Sequence, residues 1–138
     1  QCGVGKLSDV KTLYLEANID AEVQEFYKNP QSLIEWSDFV ITRSGALSIS
    51  EISSMGRGMV MVPLPSSIDN HQFDNAKYIK NIGMGIVHSQ ENGLSDLEIK
   101  LSQVIDKKIY NDWKSKTNLE HLNAASFISS KIIEYLSK

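Results

Sequence analysis

Short β-rich runs alternate along the chain with stretches in which apolar residues recur every three or four positions. The runs are AEVQEF (21–26), DFVIT (38–42), MVMVP (59–63) and MGIVHS (84–89). Strands separated by helices imply a parallel sheet wrapped by crossover helices, an α/β domain. The second and third runs are continuously apolar, so they are expected to be strands buried on both faces. Helices are expected over 7–17, 30–37, 46–55 and 70–82.

The ends of these helices are marked. Asn29 followed by Pro30 suits an N-cap with proline at the first helical position, and Gly56 and Gly83 suit C-terminal stops. Ser95-Asp96-Leu97-Glu98 is a capping-box pattern that opens a helix carrying Leu97, Leu101, Val104 and Ile105 on one side. The tail repeats apolar residues at helical spacing (Leu122, Ala125, Ile128 or Ser129, Ile132, Ile133, Leu136) and is expected to pack against a surface. Trp36 and Trp113, at the ends of helical stretches, are expected to be packing residues. No internal repeat or low-complexity linker is visible.

Composition narrows the function classes. A chain of 138 residues with 41% apolar and 22% charged residues is the size and make-up of one domain with a buried core. A net charge of -3 offers no broad attraction for nucleic acid, which is not expected as a partner. The single cysteine, Cys2, cannot form an internal disulfide, so nothing points to an oxidising compartment and a cytosolic location is the default. No run approaches the ~18 apolar residues of a membrane span, so membrane contact would be peripheral. The opening QCGVG, with no initiator Met, reads as the end of one element turning into another, and a segment of a longer protein is expected.

Two stretches carry candidate chemistry. RSGALSISE, residues 43–51, follows the second run and leads into a helix. In a parallel α/β sheet, ligands collect at this edge, where the free N–H groups and dipole of a helix N-terminus favour anions. Gly45 lets backbone approach a ligand closely, and Ser44 either caps the helix or donates to a phosphate. Glu51 could accept two hydrogen bonds from vicinal hydroxyls such as those of ribose. In the second stretch, PLPSSIDNHQFDNA (63–76), Asp69 can cap the next helix, and His71 and Gln72 stand in its first turn facing the same edge. Asn75 is a candidate for holding the loop. The lone GxG of QCGVGK reads as a turn, no zinc-ligand spacing or DxD-like metal site is present, and no serine lies in a GxSxG elbow. No metal or cofactor is expected.

EFYKNPQSLIEWSDFVITRSGALSISEISSMGRGMVMVPLPSSIDNHQFDNA resembles the C-terminal half of the MurG family. These are the bacterial UDP-N-acetylglucosamine:undecaprenyl-pyrophosphoryl-muramoyl-pentapeptide N-acetylglucosaminyltransferases of glycosyltransferase family 28. The strings RSGALSISE and DNHQFDNA carry the resemblance, QCG matches the family's HQCG, and similarity runs to about Val87.

The resemblance implies a Rossmann-like parallel sheet with flanking helices, the incomplete C-terminal domain of a GT-B glycosyltransferase, over 1–118, followed by a packing helix over 119–138. It implies a UDP-N-acetylglucosamine site formed by Tyr27, Arg43, Ser44, Gly45, Ala46, Leu47, Ser48, Ile49, Ser50, Glu51, His71 and Gln72. Ala46 to Glu51 would line the nucleotide with Glu51 on the ribose, Tyr27 would meet uracil through its backbone, and His71 and Gln72 would meet the sugar or diphosphate. No catalytic residue is expected within this segment. The reaction implied is inverting transfer of N-acetylglucosamine to lipid I, giving lipid II for peptidoglycan, on the cytoplasmic face of the plasma membrane. The lipid I site, the membrane-docking patch, the general base and a GGS loop for the diphosphate would lie upstream of Gln1. If the sheet has the order 3-2-1-4-5-6, strand 1 and most of strand 2 would be upstream too, leaving a gap between AEVQEF and DFVIT. The alternative is a soluble nucleotide-sugar-binding subunit of a two-chain GlcNAc transferase that works with a membrane partner.

Overall fold

The computed structural model describes residues 1–66, 70–116 and 124–137. The chain divides into two compact units, Gln1–Leu33 and Ile34–Lys138, with the division falling inside helix α2 (Pro30–Trp36).

The first unit holds helix α1 (Leu7–Glu16) and the segment expected to be the first strand. Residues 21–26 form no strand, so among the described residues three strands are present where four were expected. A ladder needs a partner along its length, and here the pairing stops after two bonds, Cys2 N–H to Gln24 O at 3.0 Å and Gly3 N–H to Glu25 O at 3.2 Å. Glycines at positions 3 and 5 take positive φ, and the Gly5 N–H then reaches the Glu25 carboxylate. Helix α1 buries none of its residues, while Val23 supplies this unit's buried apolar side chain.

The second unit carries the sheet. Strands β1 (Phe39–Thr42), β2 (Gly58–Met61) and β3 (Gly85–Val87) are all parallel and adjacent in chain order. That order matches the 4-5-6 half of a doubly wound sheet. Helices α3 (Ala46–Ser54) and α4 (His71–Asn81) are the crossovers. A 3-10 turn (Gln90–Asn92), α5 (Gly93–Asp106), α6 (Tyr110–Lys114) and α7 (Ala124–Leu136) follow.

The core follows from the two-residue alternation of a strand. On one face Met59 and Met61 meet Ile49 and Ile52 of α3, Ala76 and Ile79 of α4, and Met84, with Ile34 and Val40 packed against them. On the other face Val60 meets Val104 of α5 and Trp113 of α6, ringed by Phe39, Ile86, Leu97 and Leu101. All four residues of β2 are buried, as a central strand between two helical layers requires.

Strand β1 departs from the expectation of full burial: Ile41 is 53% exposed. It is an edge strand of this sheet, paired on one side only, so its apolar run lacks the second neighbour that would cover it. Trp36 departs too, at 85% exposed, because Ile34, two positions and roughly 200° away around α2, takes the core-facing place. Trp113 packs as expected, 4% exposed.

Gly56 and Gly83 close α3 and α4 with φ of 64° and 70°, the left-handed stop that glycine adopts without strain. The capping box at Ser95 is not formed. Helix α5 starts two residues earlier, at Gly93, with no side-chain cap on its N-terminus, so Ser95 lies inside the first turn. Asp96 is drawn instead to His88 and Lys100. Asp69, the expected cap of α4, and the 118/119 division lie outside the described residues. Leu122 of the expected tail helix lies outside the described residues; from Ala124 on the tail is helix α7, but Phe127, Ile128, Ile132, Ile133, Tyr135 and Leu136 are all more than half exposed, so no surface among the described residues covers it.

Candidate functional site

The three loops that leave the C-terminal ends of β1, β2 and β3 are drawn together by hydrogen bonds from side chains to backbone and to one another. Arg43, immediately after β1, donates through Nη1 to the carbonyls of Val62 (3.0 Å) and Pro63 (3.4 Å) in the loop after β2. The same nitrogen donates to Gln90 Oε1 (2.7 Å) in the loop after β3. Asn75 of α4 reaches back across the edge, its Nδ2 donating to the Ser44 carbonyl at 3.0 Å, which is the loop-holding role expected of it. Gln72 Oε1 accepts the Leu64 N–H at 3.0 Å and so ties the first turn of α4 to the loop that precedes it.

Two helices open onto this edge, and neither N-cap residue makes a side-chain cap bond among the described residues. The N-cap of α3 is Gly45, in extended conformation, and that of α4 is Asn70, in the left-handed region at φ 56°. Ser44 therefore does not cap α3. It is fully buried, and among the described residues its Oγ and the Nε of Arg57 are the buried side-chain polar atoms without a partner. Gly45 itself has an ordinary φ of -66°, and a Cβ placed there would meet nothing within 4 Å. The fold alone does not demand glycine at this position, and open space lies in front of it.

Along α3, Ala46, Leu47 and Ser48 are exposed, Leu47 to 83%, whereas Ile49 is 7% exposed and belongs to the core. Ile49 is thus a supporting residue under the site. Ser50 is half-buried, and Glu51 is exposed one and a half turns into the helix. His71 opens α4 and is exposed, and Gln72 beside it is half-buried. Arg43, Ser44, Gln72 and Asn75 are joined to one another or to neighbouring loops by the bonds above. Tyr27 belongs to the Gln1–Leu33 unit, where its hydroxyl donates to the Glu22 carbonyl at 3.2 Å, and partial burial together with Glu22 pushes its phenol up.

The structure adds a pair that the sequence did not disclose. His88, at the end of β3 and 3% exposed, lies with Nδ1 2.8 Å from Asp96 Oδ2. Lys100 Nζ donates to the same oxygen at 2.6 Å and Asn92 Nδ2 at 3.5 Å. The hydrogen bonds from Lys100 first and His88 second hold the Asp96 carboxyl down at about 2. Only Asp96 to Lys100, at i and i+4 on a helix, was a signal visible in the sequence. Among the described residues no three His, Cys, Asp or Glu side chains gather as a metal site would need, and no helix is long and apolar enough to cross a membrane.

Known proteins resemble this chain over most of its length. The family model described as glycosyltransferase family 28 C-terminal domain matches residues 1–132. The UDP-N-acetylglucosamine--N-acetylmuramyl-(pentapeptide) pyrophosphoryl-undecaprenol N-acetylglucosamine transferase of Pseudomonas fluorescens (strain SBW25) is 39% identical over 95 residues, 68% of this chain and 27% of that protein. The transferase of the same name from Wolbachia sp. subsp. Drosophila simulans (strain wRi) is 36% identical over 114 residues, 83% of this chain and 32% of its own length. The crystal structure of Acinetobacter baumannii MurG superposes with a TM-score of 0.77 at 27% identity, covering 83% of this chain and 36% of that one. The chain thus spans roughly a quarter to a third of the length of these curated relatives.

Proposed function

Because the chain belongs to the glycosyltransferase family 28 C-terminal domain family, we propose that it is the donor-binding part of an inverting transferase. That enzyme moves N-acetylglucosamine from UDP-N-acetylglucosamine to lipid I, making lipid II for peptidoglycan. The relatives cited above carry the bacterial transferase's name, which favours this reading over the two-subunit alternative. The protein would work as a peripheral enzyme on the cytoplasmic face of the plasma membrane, with lipid I held by a part of the enzyme outside this chain.

The observation that carries the proposal is the open space before Gly45 at the head of a helix without a side-chain cap. When the glycosidic bond to UDP breaks, negative charge grows on the diphosphate. A helix N-terminus, equivalent to roughly half a positive charge with unbonded N–H groups, stabilises that charge without rearrangement. Helix α3 presents such an end to this edge, behind the extended Gly45. Gly45 lets a phosphate oxygen approach the backbone, and the Ser44 hydroxyl, buried behind it without a partner, is a second donor at the same place. The exposed Glu51 carboxylate accepts from the two ribose hydroxyls, and Ala46, Leu47, Ser48 and Ser50 line the nucleotide between them. On α4, Gln72 is oriented by its bond to Leu64, which leaves its amide N–H groups to meet the sugar beside His71.

The test is calorimetric titration of UDP-N-acetylglucosamine, UDP-glucose and ADP into the protein expressed from its complete gene. Selective binding of the first is expected. Gly45→Ala should leave the melting temperature in place, since its Cβ meets nothing in the protein, yet weaken donor binding. Glu51→Ala should weaken it by about 1–3 kcal/mol, the worth of a charged hydrogen-bond partner. Preference for ADP, or two variants that bind like wild type, would remove the donor from this edge.

A further inference from the structure

Gln90 has no part in the donor contacts described above, yet it completes the bracing of all three loops. Its Oε1 receives Arg43 Nη1 at 2.7 Å, the shortest of the three bonds that this nitrogen makes. The other two go to Val62 and Pro63, in the loop that leads into α4 and so to His71 and Gln72. Arg43 itself is next to Ser44, whose carbonyl is held by Asn75. One guanidinium thus sets the loop after β2 against the loop after β1, and Gln90 sets the guanidinium.

The position of Gln90 is fixed in turn from below. It opens the 3-10 turn two residues after His88, which is buried and pinned twice, by its N–H to the Met61 carbonyl at 2.8 Å and by its ring to Asp96 at 2.8 Å. The Asn92 N–H closes the turn on the Ser89 carbonyl at 3.1 Å. Such a short tether from a buried anchor presents the amide oxygen to Arg43 with little freedom to lose, and a hydrogen bond from a charged donor is about twice as strong as a neutral one.

We infer that Gln90 is a positioning residue for the donor site, acting through Arg43 to hold the loop after β2, and with it the start of α4, at the distance from α3 that a nucleotide diphosphate-sugar spans. The inference rests on the donor-binding reading. Removing the Gln90 amide leaves the guanidinium with backbone carbonyls alone, and the two loops lose their common brace while every proposed ligand contact remains in place. Because Gln90 and Arg43 are both exposed, the loss should register in donor binding more than in global stability.

The experiment is steady-state kinetics on the protein expressed from its complete gene, with melting temperature recorded for each variant. Gln90→Ala should raise the KM for UDP-N-acetylglucosamine roughly three- to tenfold, the worth of one hydrogen bond, with kcat, the KM for lipid I and the melting temperature unchanged. Gln90→Glu, which keeps an acceptor for Arg43, should restore the donor KM to near wild type. An unchanged donor KM in Gln90→Ala overturns the inference, as does a defect that Gln90→Glu fails to rescue or one that tracks a fall in melting temperature. Glu51→Ala separates the two levels. If it loses donor affinity while Gln90→Ala does not, the inference alone fails; if the wild-type protein neither binds nor turns over the donor, the functional reading fails and the inference with it.

Discussion

The two ends of the parallel sheet are held by opposite means. At the end where the strands begin, the protein supplies its own cations and an aromatic lid. Arg57 Nη2 donates to the Glu35 carbonyl at 2.6 Å, Lys114 pairs with Asp38 at 2.7 Å, and Lys116 donates to the Gly83 carbonyl at 3.1 Å. Trp113 lies so close over Gly58 that a Cβ there would overlap its ring. At the end where the strands stop, the bracing comes from Arg43, Gln72, Gln90 and Asn75, and the helix N-termini carry no side-chain cap. Helix dipoles explain the division. Crossover helices end near the first edge with their carbonyls outward, where Lys and Arg are favourable, and begin at the second with their N–H groups outward, where an anion is favourable. At the first edge the protein's own cations meet the helix-end carbonyls, whereas at the second the N-terminus of α3 is left without a side-chain cap.

The largest effect that would sharpen this contrast is at the closed end. Trp113 is buried, stands edge-on to Phe39 at 6.4 Å between centroids, and fills the face of the sheet that Val60 and Val104 share. Trp113→Ala should destabilise the fold by about 3–5 kcal/mol, as aromatic truncation in a core does. The molecules that remain folded should bind UDP-N-acetylglucosamine as wild type does. Chemical denaturation with calorimetry on the folded fraction would check both parts, and a change in donor affinity comparable to the stability loss would show that the two ends are not independent.

A smaller effect is expected at the open end. Asn75→Ala removes the donor from the Ser44 carbonyl and should cost about 0.5–1.5 kcal/mol of stability, the net worth of one hydrogen bond. Donor affinity should fall with it, because the bond ties α4 to the loop after β1, the two elements proposed to meet the donor. Retained affinity would mean that Arg43 alone holds the edge.

These contrasts also show what the sequence could disclose. The MVMVP run was legible because a strand covered on both faces must be apolar at every position. DFVIT has the same pattern but sits at an edge, so its pattern does not reveal that Ile41 is exposed. AEVQEF has strand-like composition, yet strand formation depends on a neighbour, which composition does not encode. RSGALSISE and DNHQFDNA could be recognised as the turns into helices after successive strands, and Asn75 as a loop brace. The bond from Arg43 to Gln90, 47 residues away, and the His88–Asp96 pair bridging a strand end and a helix start had no local signature. Ser95 looked like a cap because its spacing to Glu98 was right, but helix α5 begins at Gly93, with φ of 74°, ahead of it.

The smallest effect concerns Asp96, which anchors the loop carrying Gln90. Its carboxyl, held at about 2 instead of the ordinary 3.8 by Lys100 and His88, is ionised more readily in the folded chain than in the unfolded one. A depressed carboxyl contributes stability that is complete above about pH 4 and is lost as pH falls toward about 2. The side chain is 32% exposed, so water and salt screen the interaction and the contribution is modest. Denaturant midpoints measured at pH 5 and at pH 2.5 should differ less in Asp96→Asn than in wild type, and the difference between the two proteins should shrink in high salt. The same acid step should loosen the turn that presents Gln90, so at pH 5, where Asp96 is ionised in wild type, Asp96→Asn should carry a milder form of the donor defect of Gln90→Ala. If Asp96→Asn keeps the wild-type pH dependence, acid unfolding starts elsewhere, and the pair is a passive contact between β3 and α5 with no part in holding the open edge.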